Sequence, residues 1–258
     1  MLEFENHIIL DKVDSWPKEI LCLIRNEEKA LKNYLQEESR IDIIGRTDLS
    51  IRYNRPINIY SGKWEEVTES IELSLKEYNI IGIHCTRLMD YEITDILNNG
   101  LRPLSKDFAN SRIEKLFEKG LISKELRCKL VDKEEYSDEN RRGKISVFHC
   151  LSTLKDEWGL NRLFGIWGGE SVYSEIQNPK ELMRIGTSCI VLTSIKIRDF
   201  DIYPELSKRM LAIFFDDNYF PHDTDSFLET KLNVLKIIRR EDNLFAELTG
   251  IQDWHEEI

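Results

Sequence analysis

The sequence predicts an α+β fold, an expectation that rests on three observations. Apolar residues spaced three or four apart dominate the first third of the chain. Strand-type apolar runs outnumber helices after residue 140. The two kinds of element also fail to alternate regularly, as they would in a doubly wound sheet.

Taken in order, residues 1–78 read as a mainly helical N-terminal extension. Helical spacing runs through Glu28 to Glu38 and again through Trp64 to Leu75, where Ser61 offers an N-cap, and Ile41 to Tyr60 between them is compatible with short strands. From residue 79 the texture changes. Ile80 to Cys85 is an apolar run of β type, and Asp90 to Asn98 is a helix with Ile93, Ile96 and Leu97 on one side and Gly100 as its stop. Residues 107–135 read as two charged helices broken at Gly120, and Glu134 to Gly143 as a polar loop. Strands are expected at Ile145 to Cys150, Leu163 to Trp167, Cys189 to Ile197, Met210 to Phe215 and Leu232 to Arg239, the last of which also suits a helix. Gly168 and Gly169 turn the chain, and a helix starts within Glu170 to Ile176. No Pro- or Gly-rich linker separates residues 1–78 from 79–258, so the chain is read as one main domain over 79–258 with the first part as its extension.

Composition narrows the function. The 258 residues carry 36 Lys and Arg against 47 Asp and Glu, a net charge of −11, so unselective attraction to nucleic acid or anionic lipid is not expected. No apolar run approaches the roughly 18 residues of a membrane span, and the first ten residues lack the order of a secretory signal, which predicts a cytoplasmic protein with no membrane partner. Five cysteines, scattered and mostly within apolar segments, read as buried reduced thiols. There is no Walker loop, GxGxxG, GxSxG, CxxC or HExxH. Two His-Cys dipeptides, His84-Cys85 and His149-Cys150, suggest zinc, but neighbours on a strand point to opposite faces, so each supplies one ligand easily and no metal is expected. The break at Gly120 suggests a helix-turn-helix DNA reader, yet Glu114, Glu118 and Glu125 on those helices favour a solvated helical pair.

One constellation stands above this background. On a strand over Ile80 to Thr86, the period of two puts Ile81, Ile83 and Cys85 on a core face, with Gly82, His84 and Thr86 opposite. An imidazole and a hydroxyl then stand side by side over a glycine that leaves room for a ligand. The ordinary alternative is a core histidine donating to a carbonyl.

The segment IIGIHCTRLMDYEITDILNNGLRPLS resembles the first motif of ADP-ribosyltransferases of the diphtheria toxin and poly-ADP-ribose polymerase type. There a strand with His-Gly-Thr or His-Gly-Ser precedes a helix and a Gly-Leu pair, matched here by His84, Cys85, Thr86 and then Gly100, Leu101, Arg102. The segment RLFGIWGGESVYSEI is similar to the second motif, with Tyr173 as the stacking tyrosine and Trp167 as a second aromatic. Glu229 in SFLETKLNVLKIIR best matches the glutamate that opens a late strand, with Glu241 and Asp225 as substitutes. Cys85 stands where the family has glycine, although its backbone offers the same N–H and C=O.

The resemblance covers residues 80–240. It implies a split β-sandwich of two packed, mostly antiparallel sheets with a cleft between them, and a mono-ADP-ribosyltransferase that uses NAD as substrate without a metal. His84 and Thr86 would hold the adenosine-side ribose, the Cys85 backbone the carboxamide and Tyr173 the nicotinamide ring. Glu229 would bond the ribose 2′-hydroxyl beside an oxocarbenium-like centre. The acceptor is an intracellular protein or nucleic acid, in a toxin, effector or antiviral-defence role in which a toxin would have a cognate antitoxin. An NAD glycohydrolase, an RNA 2′-phosphotransferase and a non-catalytic binding module of the same fold are the alternatives.

Overall fold

The computed structural model describes residues 4, 6–131, 143–155, 157–169, 180–199, 205–215 and 225–251. The chain divides into two units, Met1–Asn79 with Lys196–Phe220 and Ile80–Ile195 with Pro221–Ile258. The first boundary falls next to the one read from the sequence. The segment from Lys196 to Phe220, assigned by that reading to the main domain, belongs instead with the N-terminal unit.

The first unit is mainly helical in its described parts, with a two-residue strand at His7–Ile8. Helix α1 (Lys18–Asn26) follows Pro17 and buries Ile20 and Ile24, one turn apart. Helix α2 (Glu28–Thr47) buries Leu31 and Ile41, and α3 (Leu49–Tyr53) starts at Asp48, whose carboxylate accepts the Ser50 N–H at 2.8 Å. Helix α4 (Ser61–Leu75) buries Trp64, Val67, Thr68, Ile71 and Leu75, and the Trp64 ring stacks on Tyr34 with centroids 4.3 Å apart. Ser61 is the first residue of α4 and Tyr60 its cap, without a side-chain bond, so the expected serine N-cap is not made.

Two strand expectations in this unit are corrected. Ile41 to Tyr53 continues α2 and forms α3, and residues 54–60 are an irregular connection, because extending an existing helix gains one hydrogen bond per residue while a new strand needs a partner. Arg55 also ties back to Glu38 and Asp42 of α2 through two ion pairs of 2.6 Å. Met210 to Phe215 lies in a helix, Leu206–Phe215, whose buried residues Leu206, Ser207, Met210 and Leu211 repeat after four. The first turn is held by the Ser207 N–H donating to Glu72 at 2.8 Å.

The second unit is built on an antiparallel sheet, not closed into a barrel. Its strands are β1 (Asn79–Leu88), β2 (Ile145–Phe148), β3 (Thr187–Lys196), β4 (Asp225–Leu228) and β5 (Asn233–Arg239), in the order β4-β2-β1-β3-β5. Register is set by Ile83 opposite Phe148, by Ile145 opposite Leu228 and by Cys189 opposite Arg239, with a register shift where Leu192 and Thr193 of β3 pair with Lys236 and Val234 of β5. Because β1 bonds to β2 on one side and β3 on the other, the described strands join into one sheet. The two packed sheets implied by the family resemblance are not drawn among them.

Helix α5 (Asp90–Asn99) follows β1 directly and ends at Gly100, whose φ of 77° is open to glycine at little cost. Helices α6 (Lys106–Glu118) and α7 (Lys124–Val131) pack Ile113, Leu116, Leu126 and Leu130 against Trp167, Leu182 and Ile185. This pair, weighed as a DNA reader, therefore spends its apolar face on the core, and Arg127 of α7 bridges Glu114 of α6 at 2.7 Å. Leu163 to Trp167, expected as a strand, is the end of α8 (Glu157–Gly165) and the turn after it. Phe164, Ile166 and Trp167 are buried there, and a short apolar run carries no period that separates strand from helix. The predicted helix within Glu170 to Ile176 lies outside the described residues. So does all but the last residue of the predicted loop Glu134 to Gly143. Among the described residues no helix is long and apolar enough to cross a membrane.

Gly186, with φ at 71°, lies against the backbone where β1 ends: a Cβ there would press on the Leu88 carbonyl oxygen, with the Leu88 carbonyl carbon at 2.6 Å. Neither partner is a flexible side chain. Gly186→Ala should therefore cost on the order of 2 kcal/mol or more, read as a lower urea midpoint with an unchanged slope.

Candidate functional site

A cleft of about 810 Å³ opens in the second unit between β1 and β2 on one side and α5, α6 and the turn after α5 on the other. The strand pattern put His84 and Thr86 on one face, and both line this cleft together with Cys85. The glycine beneath them has a different use. A Cβ on Gly82 would meet Thr193 Oγ1 at 2.6 Å and the Ile195 side chain, and the Thr193 hydroxyl donates to the Gly82 carbonyl at 3.0 Å. The space expected for a ligand is occupied by β3, which lets two buried strands approach closely.

His84 is half-buried, and its orientation is set by β2. Nδ1–H donates to the Ser146 carbonyl at 2.9 Å; because a carbonyl can only accept, this fixes the tautomer and makes Nε2 the acceptor. Among the described residues no protein group bonds Nε2. Burial holds the imidazole below its ordinary pKa and the Arg112 guanidinium adds to the effect, against the opposing bond to Ser146. His84 thus has the carbonyl bond of the ordinary core reading and an open acceptor as well. Thr86 is 8% exposed. Burial pushes the Cys85 thiol far above its ordinary value, so no thiolate nucleophile stands there. The next residue, Arg87, is spent on structure, donating to the carbonyls of Ile185 (2.7 Å) and Phe164 (3.1 Å).

The sequence reading missed the group that organises the opposite wall. Glu92, in the first turn of α5, is 6% exposed and accepts three bonds: from the Met89 N–H (2.9 Å), Trp167 Nε1–H (3.0 Å) and Arg112 Nε–H (2.6 Å). Arg112 lies on α6 with its guanidinium carbon 4.6 Å from the centre of the Trp167 ring. Trp167, expected as a second aromatic of the ligand site, instead anchors Glu92 from the core. The one local signal for Glu92 was a glutamate at the third position of a helix, reaching back to the cap. Arg112 had none.

The charge of the lining opposes that of the chain. Among the described residues of the lining, Arg102, Arg112, Lys115 and Lys144 face two carboxylates, Glu92 and Asp95. Glu92 is engaged as described, and Asp95 takes Arg102 and the Asn99 amide. A protein with net charge −11 therefore presents a cleft with cationic excess, the local patch that an anionic ligand requires.

Of the other expected site residues, Glu229 and Glu241 are described away from the cleft lining. Tyr173 lies outside the described residues. Glu229 is exposed and directly follows β4, rather than opening the next strand, which begins at Asn233. Its strand neighbour Phe227 lines the cleft, whereas Glu229 is not among the lining residues. Asp225 begins β4 opposite Phe148. Glu241 accepts from Arg239 and Thr187 at 3.3 Å and is not among the described residues that line the cleft. The second His-Cys pair is internal: His149 Nδ1–H donates to the Ile81 carbonyl (3.1 Å) and Nε2 accepts from the Ser226 hydroxyl (2.7 Å). Among the described residues no three His, Cys, Asp or Glu side chains gather as a ligand set.

Comparison of the chain with protein-family models, with curated proteins and with solved structures gave no match.

The depressed pKa of His84 makes stability depend on pH. The unfolded chain takes up this proton near the ordinary value of 6.5 and the folded chain only below it. Stability from this residue is therefore complete above that value and declines as pH falls below it. The melting temperature should drop between about pH 7.5 and about pH 5.5, and the drop should be smaller in His84→Gln.

Proposed function

We propose that the second unit is an NAD-dependent mono-ADP-ribosyltransferase that moves ADP-ribose from NAD to an intracellular macromolecule. One observation carries this reading: His84 and Thr86 stand two residues apart on the wall of a single cleft, with the His84 Nε2 open as an acceptor for a ribose hydroxyl. The cleft volume is in the range of small-molecule sites, and the cationic excess of its lining suits a ligand with two phosphates. The split sandwich of this family belongs to the same proposal, as does the finer assignment of the site.

In the proposed reaction the bond between the ribose anomeric carbon and the nicotinamide nitrogen breaks, and nicotinamide leaves with the electron pair. The acceptor atom bonds to the anomeric carbon and gives up its proton. His84 and Thr86 hold the adenosine-side ribose, the Cys85 backbone receives the carboxamide, and Tyr173 stacks on the nicotinamide. Glu229, on the loop leaving β4, supplies the negative charge beside the developing cation. A toxin, effector or defence enzyme of this kind would be restrained by a cognate antitoxin.

A second reading, an RNA 2′-phosphotransferase, draws support from Arg102 and Arg112 in the same lining, since that chemistry needs arginines around a phosphate. It would consume NAD only with a 2′-phosphorylated RNA present.

Incubation of the full chain with adenylate-labelled NAD and a cell lysate, resolved into protein and nucleic-acid fractions, tests the proposal. Label should appear in one fraction as nicotinamide is released. Nicotinamide release without transferred label would mean a glycohydrolase, and binding without turnover a non-catalytic module. His84→Ala should weaken NAD binding by about tenfold or more while the melting temperature stays within a few degrees. Glu229→Gln should lower the rate about a hundredfold with NAD affinity nearly kept, as expected for a charge felt mainly in the transition state. Full activity in Glu229→Gln would pass that role to another carboxylate.

A further inference from the structure

Three polar atoms in the cleft lining are buried with no hydrogen-bond partner: Arg112 Nη2, Tyr91 Oη and Thr153 Oγ1. Buried donors are satisfied almost without exception, and a guanidinium N–H is among the costliest to leave unpaired. Arg112 cannot turn to satisfy it internally, because its Nε is held by Glu92 at 2.6 Å and its face by Trp167. Lys115, one turn further along α6, also lines the cleft and places its ammonium 5.5 Å from the centre of the Tyr91 ring. A guanidinium, an ammonium and a phenol thus meet where α5 and α6 face the cavity. Among the described residues, both carboxylates of the lining are already engaged, Glu92 by three donors and Asp95 by Arg102 and Asn99.

We propose that Arg112, Tyr91 and Lys115 form a diphosphate-binding subsite, which receives the phosphate oxygens of a nucleoside diphosphate group across the cleft from His84. The identity of that ligand as the ADP half of NAD rests on the function proposed above; the phosphate chemistry of the subsite rests on its own donors. Lys115 supplies the net charge and Arg112 an unpaired N–H, and the Tyr91 hydroxyl, protonated at neutral pH like any tyrosine, can donate; burial, with Glu92 beside it, pushes its pKa further up to about 12. The negative charge of Glu92 is offset by Arg112, so it orients the guanidinium without repelling the ligand.

Titration calorimetry on the full chain with inorganic pyrophosphate, ADP and adenosine tests the subsite. Pyrophosphate and ADP should bind, adenosine should bind at least about tenfold more weakly than ADP, and the difference should shrink in high salt. Tyr91→Phe deletes a hydroxyl that bonds to nothing in the protein, so it should leave the melting temperature unchanged or higher while weakening ADP about threefold to tenfold. Arg112→Lys, which keeps a charge beside Glu92, should weaken ADP by about tenfold. Equal affinity for ADP and adenosine, no binding of either, or an ADP affinity untouched by Tyr91→Phe would overturn the subsite. ADP binding that responds to both variants in a protein that never consumes NAD would keep the subsite and remove the transferase reading. NAD turnover insensitive to both variants would do the reverse.

Discussion

The buried carboxylate of Glu92 is the interaction on which the cleft wall of the second unit formed by α5 and α6 depends. It caps α5 through the Met89 N–H, pins the turn after α8 through Trp167, and orients a guanidinium from α6. The start of α5, α6 and the turn after α8 converge on the carboxylate of a residue that is 6% exposed. A carboxylate so withdrawn from water is stable only when its oxygens are fully engaged, and removing one partner would leave the others around an uncompensated charge. The pair with Arg112 is therefore a constraint on geometry more than a source of stability: it sets where the remaining guanidinium nitrogens point.

Strand β1 supplies the facing wall, and its position in the sheet explains its rigidity. It is the central strand of the order β4-β2-β1-β3-β5, with Ile81 and Ile83 buried on one side and Thr193 and Ile195 pressed against Gly82. His84 is held from β2 by the Ser146 carbonyl, which settles its tautomer before any ligand arrives. One ring nitrogen serves the fold and the other faces the cleft. A ribose hydroxyl meeting that nitrogen would find an acceptor already oriented, at little further entropic cost.

Electrostatics then separates the cleft from the rest of the molecule. Acidic residues exceed basic ones over the whole chain, yet among the described residues the lining carries four cationic side chains and two carboxylates that are already paired. The surplus is local and lies beside buried donors without partners, where low dielectric strengthens every attraction. Net charge, which excluded unselective nucleic-acid binding, is silent about such a patch.

What the sequence alone determined is what depends on local backbone period and stop signals. It set β1, α5 and the stop at Gly100, the α6 and α7 pair about Gly120, and the strands near Ile145, Cys189 and Leu232. It also put His84 and Thr86 together on one strand face. Tertiary structure decided the rest. The runs Leu163 to Trp167 and Met210 to Phe215 became helical because a short apolar stretch suits either element until a packing partner chooses. The room above Gly82 went to Thr193, more than a hundred residues away, and Glu92 found Arg112 and Trp167, at separations that leave no trace in local pattern. Period is a property of neighbouring residues, whereas the partners of a buried charge and the occupant of a gap depend on which distant segments the core brings together.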